Sequence, residues 1–174
     1  MMKSALVALV LAAGGVAAGG LAASHARAQA PAGAGLAWSQ DPASKCRFVA
    51  PRSLPAGPTY WTGDCPGGKA SGLGMLRRRD GQKSGEAFYG EFRNGVPTIG
   101  AIDFAKGNTG GYMVGRFVNG DVGMGEVPPN DRIDGFNVAA SAARAVSLRF
   151  KAQGNAGSAA FYAKQAKTLE MQIE

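Results

Sequence analysis

Histidine is almost absent from this 174-residue chain; His25 is the only one. Cysteine is scarce too, with Cys46 and Cys65 alone. Aromatic residues make up 8% and charged residues 18%, and acidic side chains are outnumbered 12 to 19, a formal net charge of +7. Each scarcity excludes something. Once His25 is removed with the leader described below, no Ser/His/Asp or Cys/His mechanism is available, and neither are the common histidine metal sites. No metal and no cofactor is expected. The two cysteines lack Cys-x-x-Cys spacing, which argues against a redox-active pair. No aromatic-interleaved basic groove or DNA-binding motif accompanies the positive charge, so nucleic acid is not an expected partner.

What is present begins with a leader. Lys3 supplies a positive start, Ala5 to Ala23 is apolar, and Ala26-Arg27-Ala28 is a small-x-small cleavage site. Residues 1–28 therefore read as a secretory signal peptide cut before Gln29. An uncleaved membrane anchor is the competing reading; Gly14-Gly15 and Gly19-Gly20 weaken it, because Ala/Gly runs are only mildly hydrophobic. No cysteine follows the apolar run, so a lipoprotein anchor has no support. Loss of Lys3 and Arg27 leaves 17 basic and 12 acidic residues, a net of +5. The expected destination is the periplasm or the exterior. Residues 29–57 form an N-terminal extension carrying Cys46.

The stretch 58–127 repeats itself. Three lines share one grammar: Trp61-Thr62-Gly63-Asp64-Cys65 with Gly68, Gly72 and Gly74; Phe88-Tyr89-Gly90-Glu91-Phe92 with Gly95 and Gly100; Met113-Val114-Gly115-Arg116-Phe117 with Gly120, Gly123 and Gly125. The central glycines are 27 and 25 residues apart, a period that signals a repeat array. Each line reads as a short strand, a turn and a second short strand. Side chains alternate between the faces of a strand, so Trp61, Phe88 and Met113 form one row and Cys65, Phe92 and Phe117 another. The glycine between them leaves room for a ring to lie over its backbone. Thr62, Tyr89 and Val114 point the other way, beside Asp64, Glu91 and Arg116. Asn94-Gly95 and Asn119-Gly120 sit where hairpins reverse.

This pattern resembles MORN repeats, whose lines run roughly aromatic-x-Gly-x-aromatic-x-Asn-Gly-x-x-x-Gly-x-Gly. Phe88 to Gly95 is the nearest match, Met113 to Gly125 the next, and Trp61 to Gly74 is similar to a Cys-containing variant of exported bacterial members. The likeness covers about 70 residues, with drifting loop lengths, Ile102 in place of a glycine and Met113 in place of an aromatic. It implies an elongated antiparallel sheet of about three stacked hairpins. It also implies scaffolding or protein interaction, with no shared catalytic site. The repeat-core residues would be Trp61, Gly63, Phe88, Gly90, Phe92, Gly115 and Phe117.

Three further groups matter. In an oxidising compartment an even cysteine count favours a Cys46–Cys65 disulfide, closing a loop of roughly 20 residues over the edge of the first hairpin. Arg77, Arg78 and Arg79 either form an anion site for envelope lipid or cell-wall polymer, or a solvated strand end. Asp64 and Glu91 occupy equivalent repeat positions, the raw material of a glycan hydrolase, yet Arg116 completes their row, as on an ordinary solvent face.

Pro128-Pro129 ends the sheet. Phe136, Ala139, Ala143, Val146 and Phe150 then recur at helical steps, as do Ala159, Tyr162, Ala163, Ala166, Leu169 and Ile173. Gly154 stops the first helix and Asn155 caps the second. The pair, 130–174, resembles a degenerate tetratricopeptide-like hairpin through Val146, Phe150, Gly154, Ala159 and Ala166, and is expected to cap the end of the sheet or to dimerise. The expectation overall is α+β: a hairpin sheet followed by two helices, in an exported, non-enzymatic protein that presents a sheet face to an envelope protein. An open sheet edge also makes a homodimer plausible.

Overall fold

The computed structural model describes residues 35–104, 110–123 and 125–173. The expected signal peptide and most of the leader lie outside the described residues. The fold is α+β. A small sheet pairs β1 (Trp38–Gln40) with β2 (Arg47–Val49). A six-stranded antiparallel sheet follows: β3 (Thr59–Asp64), β4 (Ser71–Asp80), β5 (Lys83–Arg93), β6 (Val96–Asp103), β7 (Tyr112–Val118) and β8 (Asp121–Val122). The strands lie in sequence order, so every connection is a hairpin. Helices α1 (Pro129–Ala152) and α2 (Ala156–Glu170) close the chain.

The turn chemistry appears where the sequence places it. Arg93 pairs with Val96 and Val118 with Asp121, leaving two-residue loops. Asn94 and Gly95 have φ of 50° and 85°, and Asn119 and Gly120 have 53° and 85°. Two consecutive positive φ values define the turn whose twist suits a hairpin, and Asn-Gly tolerates them best.

Gly74, Gly90, Gly100 and Gly115 are cross-strand partners, so one row of glycines runs across four strands. The next row on the same face is Leu76, Phe88, Ile102 and Met113, with Trp61 opposite Leu76. A Cβ at Gly63 or Gly74 would overlap the Trp61 ring, and one at Gly90 would overlap Phe88. The rings thus lie in a trough that only glycine leaves open. Trp61, Phe92, Phe88 and Phe117 then meet edge to face at centroid distances of 4.8, 5.3 and 4.9 Å, a geometry favoured by ring quadrupoles.

Both sheet faces are largely covered. The aromatic face is closed by the N-terminal extension, whose Cys46, Phe48 and Leu54 join the same core. The Cys46–Cys65 disulfide is formed, with Cα atoms 6.0 Å apart. The N-terminal segment lies on the aromatic face and is pinned near both edges of the sheet by carboxylates. Asp41 accepts from the backbone N–H of Trp61 at 2.7 Å, and Asp121 accepts from Ser53 N and Oγ at 3.0 and 2.8 Å.

The opposite face carries the row Met75, Tyr89, Ala101 and Val114. This row is buried beneath Phe136, Ala139, Ala143, Val146, Tyr162, Ala166 and Leu169, whereas Asp64 and Arg116, expected on a solvent face, are exposed. The helices therefore cover a face of the sheet, where the sequence led us to expect an end cap. Their alanines allow close approach, and Gly135 goes closest: a Cβ there would stand 3.0 Å from Gly115 N and 3.2 Å from Gly100 O. The helix break follows expectation, with Gly154 at φ 73° and the Asn155 side chain accepting from Ser158 N.

One strand is shorter than its pattern suggests. β8 stops at Val122, and among the described residues 123–127 no strand continues the third line. The turn-to-glycine spacing is shortest here, and the chain instead brings Val127 over Gly115 on its way to Pro128.

Candidate functional site

Strands β4 and β5 form the longest hairpin, reversing at Gly81-Gln82. Their register slips between Arg77 and Arg79, where Gly85 and Glu86 of β5 oppose Arg78 alone of β4. Such a bulge bends the hairpin and re-aims its side chains. Across from it run the first turns of α2. A cleft of about 460 Å³ lies between them, lined by Arg77, Glu86, Asp103, Ser158, Phe161, Tyr162 and Gln165 among others.

Arg77 is the charge at its base. Alternation along β4 places it on the same face as Met75, beneath the helices, and it is only 7% exposed. Its Nη1 donates to Gly85 O at 2.8 Å, Nη2 donates to the Tyr89 hydroxyl at 2.6 Å, and Nε points at Met75 Sδ at 3.5 Å. The guanidinium lies 5.6 Å from the Tyr162 ring centroid and 6.0 Å from those of Tyr89 and Phe161, within the range at which a cation is drawn to a ring face. Phe150 stacks on Tyr162 at 5.3 Å and fixes that ring. Phe161, next in the chain, is half exposed at the cleft mouth.

Across the cleft, Asp103 accepts from Gln165 Nε2 at 2.8 Å. Burial raises the Tyr89 pKa well above that of a free phenol; the Arg77 charge opposes this shift and that of Asp103 adds to it. Tyr89 thus stays protonated at neutral pH and is a hydrogen-bond partner of Arg77. Burial also raises Tyr112, with Asp103 contributing. The arrangement offers a buried cation, aromatic walls and hydrogen-bonding groups.

The structure disperses the three arginines considered as one anion patch. Arg78 donates through Nε to Ala56 O at 2.8 Å and faces Glu86 at 3.6 Å. Arg79 lies 5.1 Å from the Tyr60 ring centroid. Strand alternation and the bulge send the three to different surroundings, and only Arg77 lines the cleft. Asp64 and Glu91 are engaged separately as well: Asp64 pairs with Arg149 at 2.6 Å, and Glu91 with Arg93 at 3.2 Å and Thr98 at 3.0 Å. Arg116, third in that row, pairs with Asp131 at 2.9 Å and Asp134 at 3.5 Å. Two of these three positions therefore fasten α1 to the sheet. Trp61, Gly63, Phe88, Gly90, Phe92 and Phe117 all belong to the aromatic face, and Gly115 to the glycine row.

Sequence reasoning missed Asp103, Phe161 and Gln165. They belong to no motif and come together only when α2 crosses the end of the sheet. Among the described residues no group of three or more His, Cys, Asp or Glu could hold a metal ion, and no helix is long and apolar enough to cross a membrane. The disulfide is consistent with an oxidising, exported compartment. No protein-family model matches the chain, and no curated protein or solved structure matches it significantly.

Proposed function

We propose that this protein is an exported, non-enzymatic binding module of the bacterial envelope, and that it engages another envelope protein through the cleft beside α2. The carrying observation is that both sheet faces are covered while the cleft keeps a buried guanidinium beside an exposed ring. Tyr89 and Phe92, natural anchors for a partner on an open sheet, are fully buried. The leader sequence and the disulfide support export, with the periplasm as destination. The repeated placing of Trp61 and Phe88 over glycines supports the MORN-like reading of the sheet.

The test uses a substitution that the fold tolerates. Ser158 is the third residue of α2, where glutamate is favoured, and its side chain borders the cleft. Oxidised, processed protein used as bait against an envelope fraction retains a partner that the Ser158→Glu bait loses, with both baits melting alike. Equal recovery by the two baits would contradict the proposal.

A second reading keeps the anionic lipid or wall-polymer partner and moves its site. Trp38 is partly exposed, with Arg47 and Lys69 at 5.3 and 5.5 Å from its ring centroid. Exposed charges bind less well as salt rises. On this reading, retention on anionic vesicles or wall material falls with salt and with joint Arg47→Ala and Lys69→Ala substitution. Retention indifferent to both removes it.

A further inference from the structure

Resting on the cleft as the binding site, we propose that its ligand presents a single carboxylate on an apolar body, with Arg77 as the counter-charge. A guanidinium has five N–H groups in a fixed fork. Arg77 directs three of them at a carbonyl, a phenol and a thioether. None of these partners is anionic, each Nη carries a second N–H, and among the described residues no carboxylate pairs with the guanidinium. A buried charge is costly unless paired, and a carboxylate that spans two Nη atoms is the partner that guanidinium geometry matches best.

The surroundings narrow the ligand further. Phe161, half exposed, and Tyr162 supply an aromatic wall beside the guanidinium. The cleft volume, about 460 Å³, falls in the range of small-ligand pockets. Asp103 and Glu86 also line the cleft, one held by Gln165 and the other facing Arg78. Two carboxylates nearby repel a doubly charged phosphate more strongly than a singly charged carboxylate. The chemistry is that of an apolar organic acid, whether a free molecule or the C-terminal carboxylate of a protein chain.

Calorimetric titration of the full oxidised protein tests this with 3-phenylpropanoate, 3-phenylpropanamide and phenyl phosphate, and with an Ala-Ala-Ala-Phe peptide as free acid and as amide. Each acid should bind at least 10-fold more tightly than its amide, and phenyl phosphate should bind no better than the neutral amide. Phe161→Ala, a surface change, should weaken the acids about 10-fold. Arg77→Gln should abolish the difference between acid and amide. A peptide acid that binds much more tightly than 3-phenylpropanoate identifies a chain end; parity identifies a small acid. Acid and amide binding alike, or neither binding at millimolar concentration, overturns the assignment. If partner capture still depends on Ser158 in that case, the cleft reading stands without the carboxylate; if it does not, both fall.

Discussion

The two sides of the sheet are built from different materials. The N-terminal side is aromatic and sealed: four rings interlock over a glycine trough, and a disulfide and two buried carboxylates clamp the extension above them. The helical side is alanine-rich and closes by near approach of the backbones, with a gap where α2 passes the β4–β5 hairpin. Rings in fixed grooves leave no space to adapt. Beside α2 a cleft remains, and there the chain has put a buried arginine. We read the first side as the structural base and the second as the working surface.

The comparison is broken most severely by Phe88→Ala, which empties the trough at its centre. It should cost about 3–5 kcal/mol, read by urea unfolding. A loss below 1 kcal/mol would mean that the rings do not form the rigid side. Removing the disulfide with Cys46→Ala and Cys65→Ala should cost about 3 kcal/mol in the chain-entropy model. Peptide binding at the cleft should survive that loss while the protein remains folded. Cleft binding that fails in step with the bridge would show that the two sides are coupled. On the helical side effects are smaller. Asn155→Ala removes the cap on Ser158 N and should cost about 1 kcal/mol. It should also loosen the end of α2 that borders the cleft, seen as faster amide exchange at 156–158. Asp64→Asn breaks an exposed pair with Arg149 and should cost less than about 1 kcal/mol, an effect that high salt erases.

Much of this fold was legible because its signals are local. The spacing of Gly63, Gly90 and Gly115 marked the repeats, Asn94-Gly95 and Asn119-Gly120 marked two reversals, and Gly154-Asn155 marked the helix break. The disulfide followed from cysteine count and compartment. What was not legible depends on layers. Period-two alternation places Tyr89 opposite Phe88, but it does not say what covers either. Alternation puts Tyr89 and Val114 on one side with Asp64 and Arg116, yet the first two lie buried under the helices and the last two are exposed. The same rule places Arg77 with Met75, so its burial followed from strand alternation once the covered face was known. The cleft was beyond reach for another reason: Arg77, Asp103 and Phe161 come from three distant stretches, and no pairwise spacing connects them.

The place where a partner touches separates the working side from the structural base most directly. A photo-crosslinking residue placed at position 158, and separately at position 38, compares the two sides within the intact envelope. A discrete protein adduct should form from position 158 and be lost when Phe161→Ala is added, with none from position 38. An adduct from position 38 alone, or from neither position, would contradict that assignment of the two sides.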